Sequence, residues 1–275
     1  MAIVSNNRFP KIILEEQASA PTPAPALSDG EWMLIMKSDN KLYKVDHNGT
    51  ETEVGAASAS GIPTDGWIDQ TGVTWTRTGN HVFTISGDVT ATYRKGTMVR
   101  YKDGGSFEYG VVINAAHAGG TTTVTLATNT DYTMAATTIT DNYISHIETP
   151  EGWPGWFSYT PTYSASGSMT YGTITTAFAK RRIQGRTVQV QLRATGTTGG
   201  SASTAINATL PVEALQSASS IAGYGLVTDG GGQITARVFI SAGTPDVMGF
   251  GRYDASNWGT GSGRVINGSV IYEME

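Results

Sequence analysis

VTWTRTGNHVFTISGDVTATYRKGTMVRYKDGGSFEYGVVINAAHAGGTTTVTL, residues Val73–Leu126, alternates short β-branched and aromatic runs with glycine-rich breaks. The runs are Val73–Arg77, His81–Ser86, Val89–Arg94, Thr97–Lys102, Phe107–Asn114 and Thr121–Leu126. Between them stand Thr78-Gly79-Asn80, Gly87-Asp88, Lys95-Gly96, Asp103-Gly104-Gly105 and Gly119-Gly120. A branched or aromatic side chain packs well on a pleated surface and is crowded on a helix. Glycine and Asp-Gly favour the tight turns that join antiparallel strands. Short strands at this spacing predict a small β-barrel or sandwich over 73–150, with one helical turn expected in Asp131–Thr140.

The same cadence continues downstream. Residues 151–158, containing Trp153-Pro154-Gly155-Trp156-Phe157, read as a stiff aromatic junction. Beyond it, strands are expected at Met169–Phe178, Arg186–Ala194, Ala205–Leu210, Ile221–Val227, Gln233–Ile240, Val247–Tyr253 and Val265–Tyr272. They predict a C-terminal β-sandwich or jelly-roll-like domain over 159–275. Upstream, 57–72 is a connector and 28–56 a small hairpin module, Trp32–Lys37, Leu42–Val45 and Thr50–Val54, turning at His47-Asn48-Gly49. Residues 1–27 form an extended arm: Ala18–Ala26 is Pro/Ala-rich, and Ile12-Ile13-Leu14 is an apolar anchor suited to docking on another surface. The fold class is all-β throughout.

Composition agrees. Hydrophobic residues make up 39% and charged residues 15%, and the difference from an average domain has gone to threonine, serine and 34 glycines. There is no cysteine, which excludes disulfides and thiol chemistry. Trp32–Met36 is too short an apolar run to span a bilayer, so no membrane insertion is expected. A net charge of −5 argues against nucleic acid as the partner. Residues 1–152 carry 10 basic and 17 acidic side chains (−7), and 153–275 carry 8 and 6 (+2). Lys180-Arg181-Arg182 with Arg186 reads as a solvated, charged strand edge, the alternative being contact with an anionic surface such as phosphorylated bacterial glycan.

No catalytic constellation or cofactor motif stands out. His47, His81, His117 and His146 share no metal-ligand spacing. Asp46-His47-Asn48-Gly49 lacks the remainder of a calcium loop and reads as a turn, as does Asp229-Gly230-Gly231-Gly232. Asp103 with Glu108 and Glu148 with Glu151 are the local acid pairs weighed for the two carboxyl groups a glycosidase requires. The remaining signal is aromatic: Tyr253, Asp254, Asn257 and Trp258 combine ring faces with carboxylate and amide groups, as a saccharide site does. The alternative is that Tyr253 and Trp258 cover the end of the sandwich or a subunit interface.

Ser38–Val54, SDNKLYKVDHNGTETEV, following a Pro/Ala linker, resembles the small N-terminal module of tailed-bacteriophage fibre and appendage proteins. The segments Gly87–Ala91, Lys95–Tyr101 and Tyr109–Val112 are similar to a β module of such appendages. Tyr159-Thr160-Pro161-Thr162-Tyr163, Gly185–Val190 and Leu210-Pro211-Val212 look phage-like as well. The resemblance implies a homotrimeric virion component; from the residues themselves no enzymatic activity or cofactor is expected. Its arm would bind tail or capsid proteins, and its C-terminal domain a host-surface glycan or protein. A tail fibre or receptor-binding protein is the first expectation, a capsid head fibre or decoration protein the second, and a polysaccharide-cleaving spike the third.

Overall fold

The computed structural model describes residues 16–17, 32–37, 42–46, 48, 50–54, 64–215, 221–241 and 243–275. They belong to two compact units, Met1–Pro63 and Thr64–Glu275. Every regular element among the described residues is a β-strand, as the composition predicts.

In the first unit, β1 (Glu16–Gln17), β2 (Trp32–Lys37), β3 (Leu42–Asp46) and β4 (Glu51–Val54) form a sheet in chain order. β1 runs parallel to β2; the others make an antiparallel meander. Ile35 and Val45 are its buried apolar side chains among the described residues. The β3–β4 turn is fixed by Asp46, whose Oδ1 accepts the backbone N–H of Asn48 (2.9 Å) and of Thr50 (2.8 Å). That short acceptor bonding its own downstream backbone is why Asp begins this turn. Ile12, Ile13, Leu14 and His47 lie outside the described residues.

The second unit contains two curled sheets. The middle sheet comprises β5 (Ile68–Asp69), β6 (Trp75–Gly79), β7 (Val82–Ser86), β8 (Met98–Asp103), β9 (Ser106–Ala118), β10 (Thr121–Thr128), β11 (Thr138–Ile139) and β12 (Asn142–Ser145). Its order is β11-β6-β7-β10-β9-β8-β12-β5. The C-terminal sheet comprises β13 (Phe157–Ser158), β14 (Tyr163–Ala165), β15 (Met169–Gln184), β16 (Thr187–Gly200), β17 (Ala205–Thr209), β18 (Ile221–Asp229), β19 (Gly232–Ile240), β20 (Val247–Arg252) and β21 (Gly261–Glu273). Its order is β13-β15-β16-β21-β18-β19-β20-β17-β14. These nine strands are one continuous sheet, so the two walls of the expected sandwich are opposite sides of a single curl. The curl brings edge strand β14 back against β15, where Tyr163 Oη and Thr176 Oγ1 share a 2.7 Å hydrogen bond.

Alternation explains both cores. Along β16, Val188, Val190, Leu192 and Ala194 point inward and are buried. β9 and β10 are apolar on both faces where the sheets meet. Val112, Val124 and Leu126 join the aromatic core of the middle sheet, while Val111 and Ala127 join the core of the C-terminal sheet. A strand covered on both sides reads as a continuous apolar run, which GVVI at Gly110–Ile113 does.

Four expectations change. Val89–Arg94 is not a strand: Asp88 Oδ1 accepts the Thr90 N–H (3.1 Å), Thr92 and Tyr93 donate to the Val89 carbonyl, and the segment is a turn-rich crossover. It delivers Tyr93 into the core, where Trp75 Nε1 donates to Tyr93 Oη (3.0 Å). Asp131–Thr140 holds turns and β11 but no helical turn. The end of the 57–72 connector belongs to the middle sheet, because β5 pairs with β12 and Trp67 is buried. The Lys180–Arg182 run lies inside β15, and its middle residue Arg181 is buried rather than solvated; the chain turns later, at Gly185, whose φ of 56° suits a residue without Cβ.

Candidate functional site

The predicted saccharide loop follows β20, and the structure separates its four residues. Trp258 is fully buried. Its indole N–H donates to the Phe250 carbonyl (3.1 Å), and its backbone N–H donates to the Ser203 carbonyl (2.9 Å). No sugar can stack on a ring that is already part of the core, so Trp258 is a packing residue. Asp254 is tied to Arg252 (Nη2 to Oδ2, 2.9 Å) and accepts the Ser256 N–H and hydroxyl. The Arg252 guanidinium, with Ser256, holds its carboxyl well below the usual carboxylate range. Tyr253, 76% exposed, and Asn257, also exposed, remain available at the surface.

The loop is anchored from the β18–β19 tip. Buried Asp229 receives Arg252 Nη1 (2.6 Å), Arg264 Nε (3.1 Å) and the Gly259 N–H (3.0 Å to Oδ2). The tip is therefore a salt-bridged lock, with its carboxylate already occupied by two guanidinium groups.

The acid pairs take up structural positions. Asp103 accepts the N–H groups of Ala135 (2.5 Å) and Ala136 (3.1 Å), fixing the segment before β11. Glu108 faces Tyr101 across the β8–β9 register, and its Oε2 is buried without a hydrogen-bond partner. Burial raises its pKa, and the nearby Asp103 and Asp131 charges raise it further. Glu148 and Glu151 are exposed, and the Glu151 carbonyl accepts the Trp67 indole N–H (2.8 Å). Around that bond rings pack together: the Trp153 ring lies 6.2 Å from Trp67, 6.0 Å from Tyr109 and 5.1 Å from Phe157.

Two features were not singled out in the sequence. The first is on the outer face of the C-terminal sheet. Tyr224 is 87% exposed, Ile271 56% and Leu226 48%, all on the adjacent strands β18 and β21. Glycines 225 and 268 face each other between them, leaving with Phe178 a shallow groove of about 430 Å³. Polar residues surround it: the outward row through Tyr224 reads Lys180, Gln191, Ser269, Tyr224, Arg237.

The second is a cleft of about 390 Å³ where the end of β10 meets β13 and β15. Arg181, 7% exposed, lines it and donates from Nη2 to the Thr128 carbonyl. Its Nε has no partner, and no ion pair among the described residues includes it. Burial pulls its pKa down to about 10. Tyr159, 8% exposed, also lines the cleft, but its unpartnered hydroxyl is sealed from solvent. His81 Nδ1 shares a 3.0 Å hydrogen bond with Thr128 Oγ1, and burial together with the Arg181 charge lowers its pKa. The sequence signal was present in the alternation of β15: with Ala179 and Ile183 inward, the residue between them is inward too.

Protein families, curated proteins and solved structures were each searched, and none matches this chain.

Proposed function

We propose that this chain is a structural, adhesive component of a phage-type virion appendage. It works as a homotrimer, held to the particle by its N-terminal arm and turned toward the host surface by its C-terminal sheet. The observation that carries this reading is the outer apolar face of that sheet. Tyr224, Leu226 and Ile271 stand together on an otherwise polar surface, and contiguous exposed apolar groups of this kind mark protein contacts. The occupant is another copy of the chain, whose sheet covers the groove across an axis. Three copies on one rigid object would convert weak surface contacts into avidity.

Light scattering behind a sizing column tests it. The expected mass is near three times 29.0 kDa. Tyr224→Ser combined with Leu226→Ser and Ile271→Ser is expected to bring it down to a single chain with unchanged circular dichroism. A monomeric wild type overturns the trimer, and a trimeric triple variant removes this face as its interface.

A further inference from the structure

The turn before β8 and the turn after β15 meet backbone to backbone. Arg94, Lys95, Gly96 and Thr97 make the first, closed by the Thr97 N–H donating to the Arg94 carbonyl (3.0 Å). A Cβ on Gly96 would lie 2.4 Å from the Gly185 carbonyl oxygen, so only glycine lets the two turns touch. Beside this contact lies a cleft of about 250 Å³, and its wall includes Arg94, Lys95 and Gln184 together with His146, Ile147 and Glu148 from the segment after β12. Arg94 and His146 are exposed, and neither makes a side-chain hydrogen bond or ion pair among the described residues. Burial and then the Arg94 charge lower the His146 pKa, which puts the two groups within electrostatic reach of each other. Lys95 donates to the Glu275 carbonyl and keeps its other ammonium protons. Glu148, the acid on the wall, is exposed and pairs with none of the three among the described residues. Accessible basic groups around one space, with no carboxylate between them, leave a place for an anion.

We propose that this cleft binds a phosphate group carried on a small polyol or sugar, with Arg94, Lys95 and His146 donating to the phosphate oxygens. A flat carboxylate is matched best by one guanidinium fork, whereas separate donors placed around a space suit a tetrahedral anion. A water takes about 30 Å³ of the liquid, so the cleft has room for more than the phosphate itself. Ile147, 37% exposed, offers apolar contact to the carrier, and the Gln184 amide meets its hydroxyls. This site shares no residue with the outer apolar face and does not depend on the trimer.

Calorimetric titration of the full chain with glycerol 3-phosphate, glycerol, inorganic phosphate and acetate, at constant ionic strength, tests the proposal. Glycerol 3-phosphate is expected to bind most tightly of the four. Arg94→Gln and His146→Gln should each weaken it by about fivefold, the upper range for an exposed charge pair, with the melting temperature unchanged. Arg94→Gln combined with Lys95→Gln should abolish binding. Glu148→Gln removes a repelling charge and should tighten it. Inorganic phosphate binding as tightly as glycerol 3-phosphate overturns the carrier, and acetate binding as tightly overturns the phosphate. Glycerol binding as tightly, or weaker binding in Glu148→Gln, overturns the anion. No binding by glycerol 3-phosphate, or binding that both Arg94→Gln and His146→Gln leave unchanged, overturns the site.

Discussion

The two sheets of the second unit bury their interiors by different means. The middle sheet has mostly short strands and relies on a few large rings. Trp75 stacks on Phe83 at 4.0 Å and 7°, and Tyr93 meets both edge-on at 5.9 and 6.1 Å. The C-terminal sheet has strands up to 16 residues long and lines its curl mainly with valine, alanine and isoleucine, with Tyr171, Phe250, Trp258 and Tyr272 spread among them rather than stacked. The difference follows from geometry. Short strands joined by wandering loops leave wide, irregular gaps that only a large ring fills. Long strands paired over many residues bring backbones close, and small side chains then fit between the rings.

Three substitutions separate these modes. Trp75→Ala should cost the most, about 3–5 kcal/mol, because deleting a buried ring leaves a cavity among neighbours that cannot collapse onto it. Urea unfolding followed by fluorescence measures it, and a loss below about 1 kcal/mol would mean the aromatic cluster is not the anchor of its sheet. Gly268→Val tests the opposite fault, too much volume. A Cβ there would lie 2.6 Å from Val238 Cγ2 and 3.0 Å from Phe250 Cε1, so a loss of about 1–3 kcal/mol is expected. A neutral result would show that the C-terminal core is loosely filled.

The smallest effect is electrostatic and confined to the middle sheet. The folded-state pKa of Glu108 is raised above its ordinary 4.5, so the folded chain binds the more protons there. Stability from this group is greatest below pH 4.5 and falls as pH rises through the raised value. Glu108→Gln should remove that fall and raise the melting temperature at neutral pH. Melting curves across the acid range check it, and an unchanged slope would place the titrating group elsewhere.

The fold was largely legible in the sequence because period-two alternation and glycine breaks are local signals. β7, β9, β19 and β20 lie where their runs predicted them. Val89–Arg94 misled for an equally physical reason. Its residues have strand propensity, but Trp75 and Phe83 require a third ring, and the segment bends to provide Tyr93. The candidate site was less legible. Tyr253 and Trp258 stand in one loop, yet one is exposed and the other buried, which loop composition cannot distinguish. Arg181 was hidden between two charged neighbours, and only the strand's phase reveals that it points inward.

The position of β21 has a consequence for the order of synthesis. It pairs with β16 on one side and β18 on the other, so residues 261–273 fill the middle of the C-terminal sheet. While the chain is being made, β16 and β18 leave the ribosome long before the strand that joins them. Until it arrives, the growing polypeptide carries two unpaired strand edges, open to any other strand within reach. The half-made sheet is therefore the stage at which this protein is most exposed to misassembly.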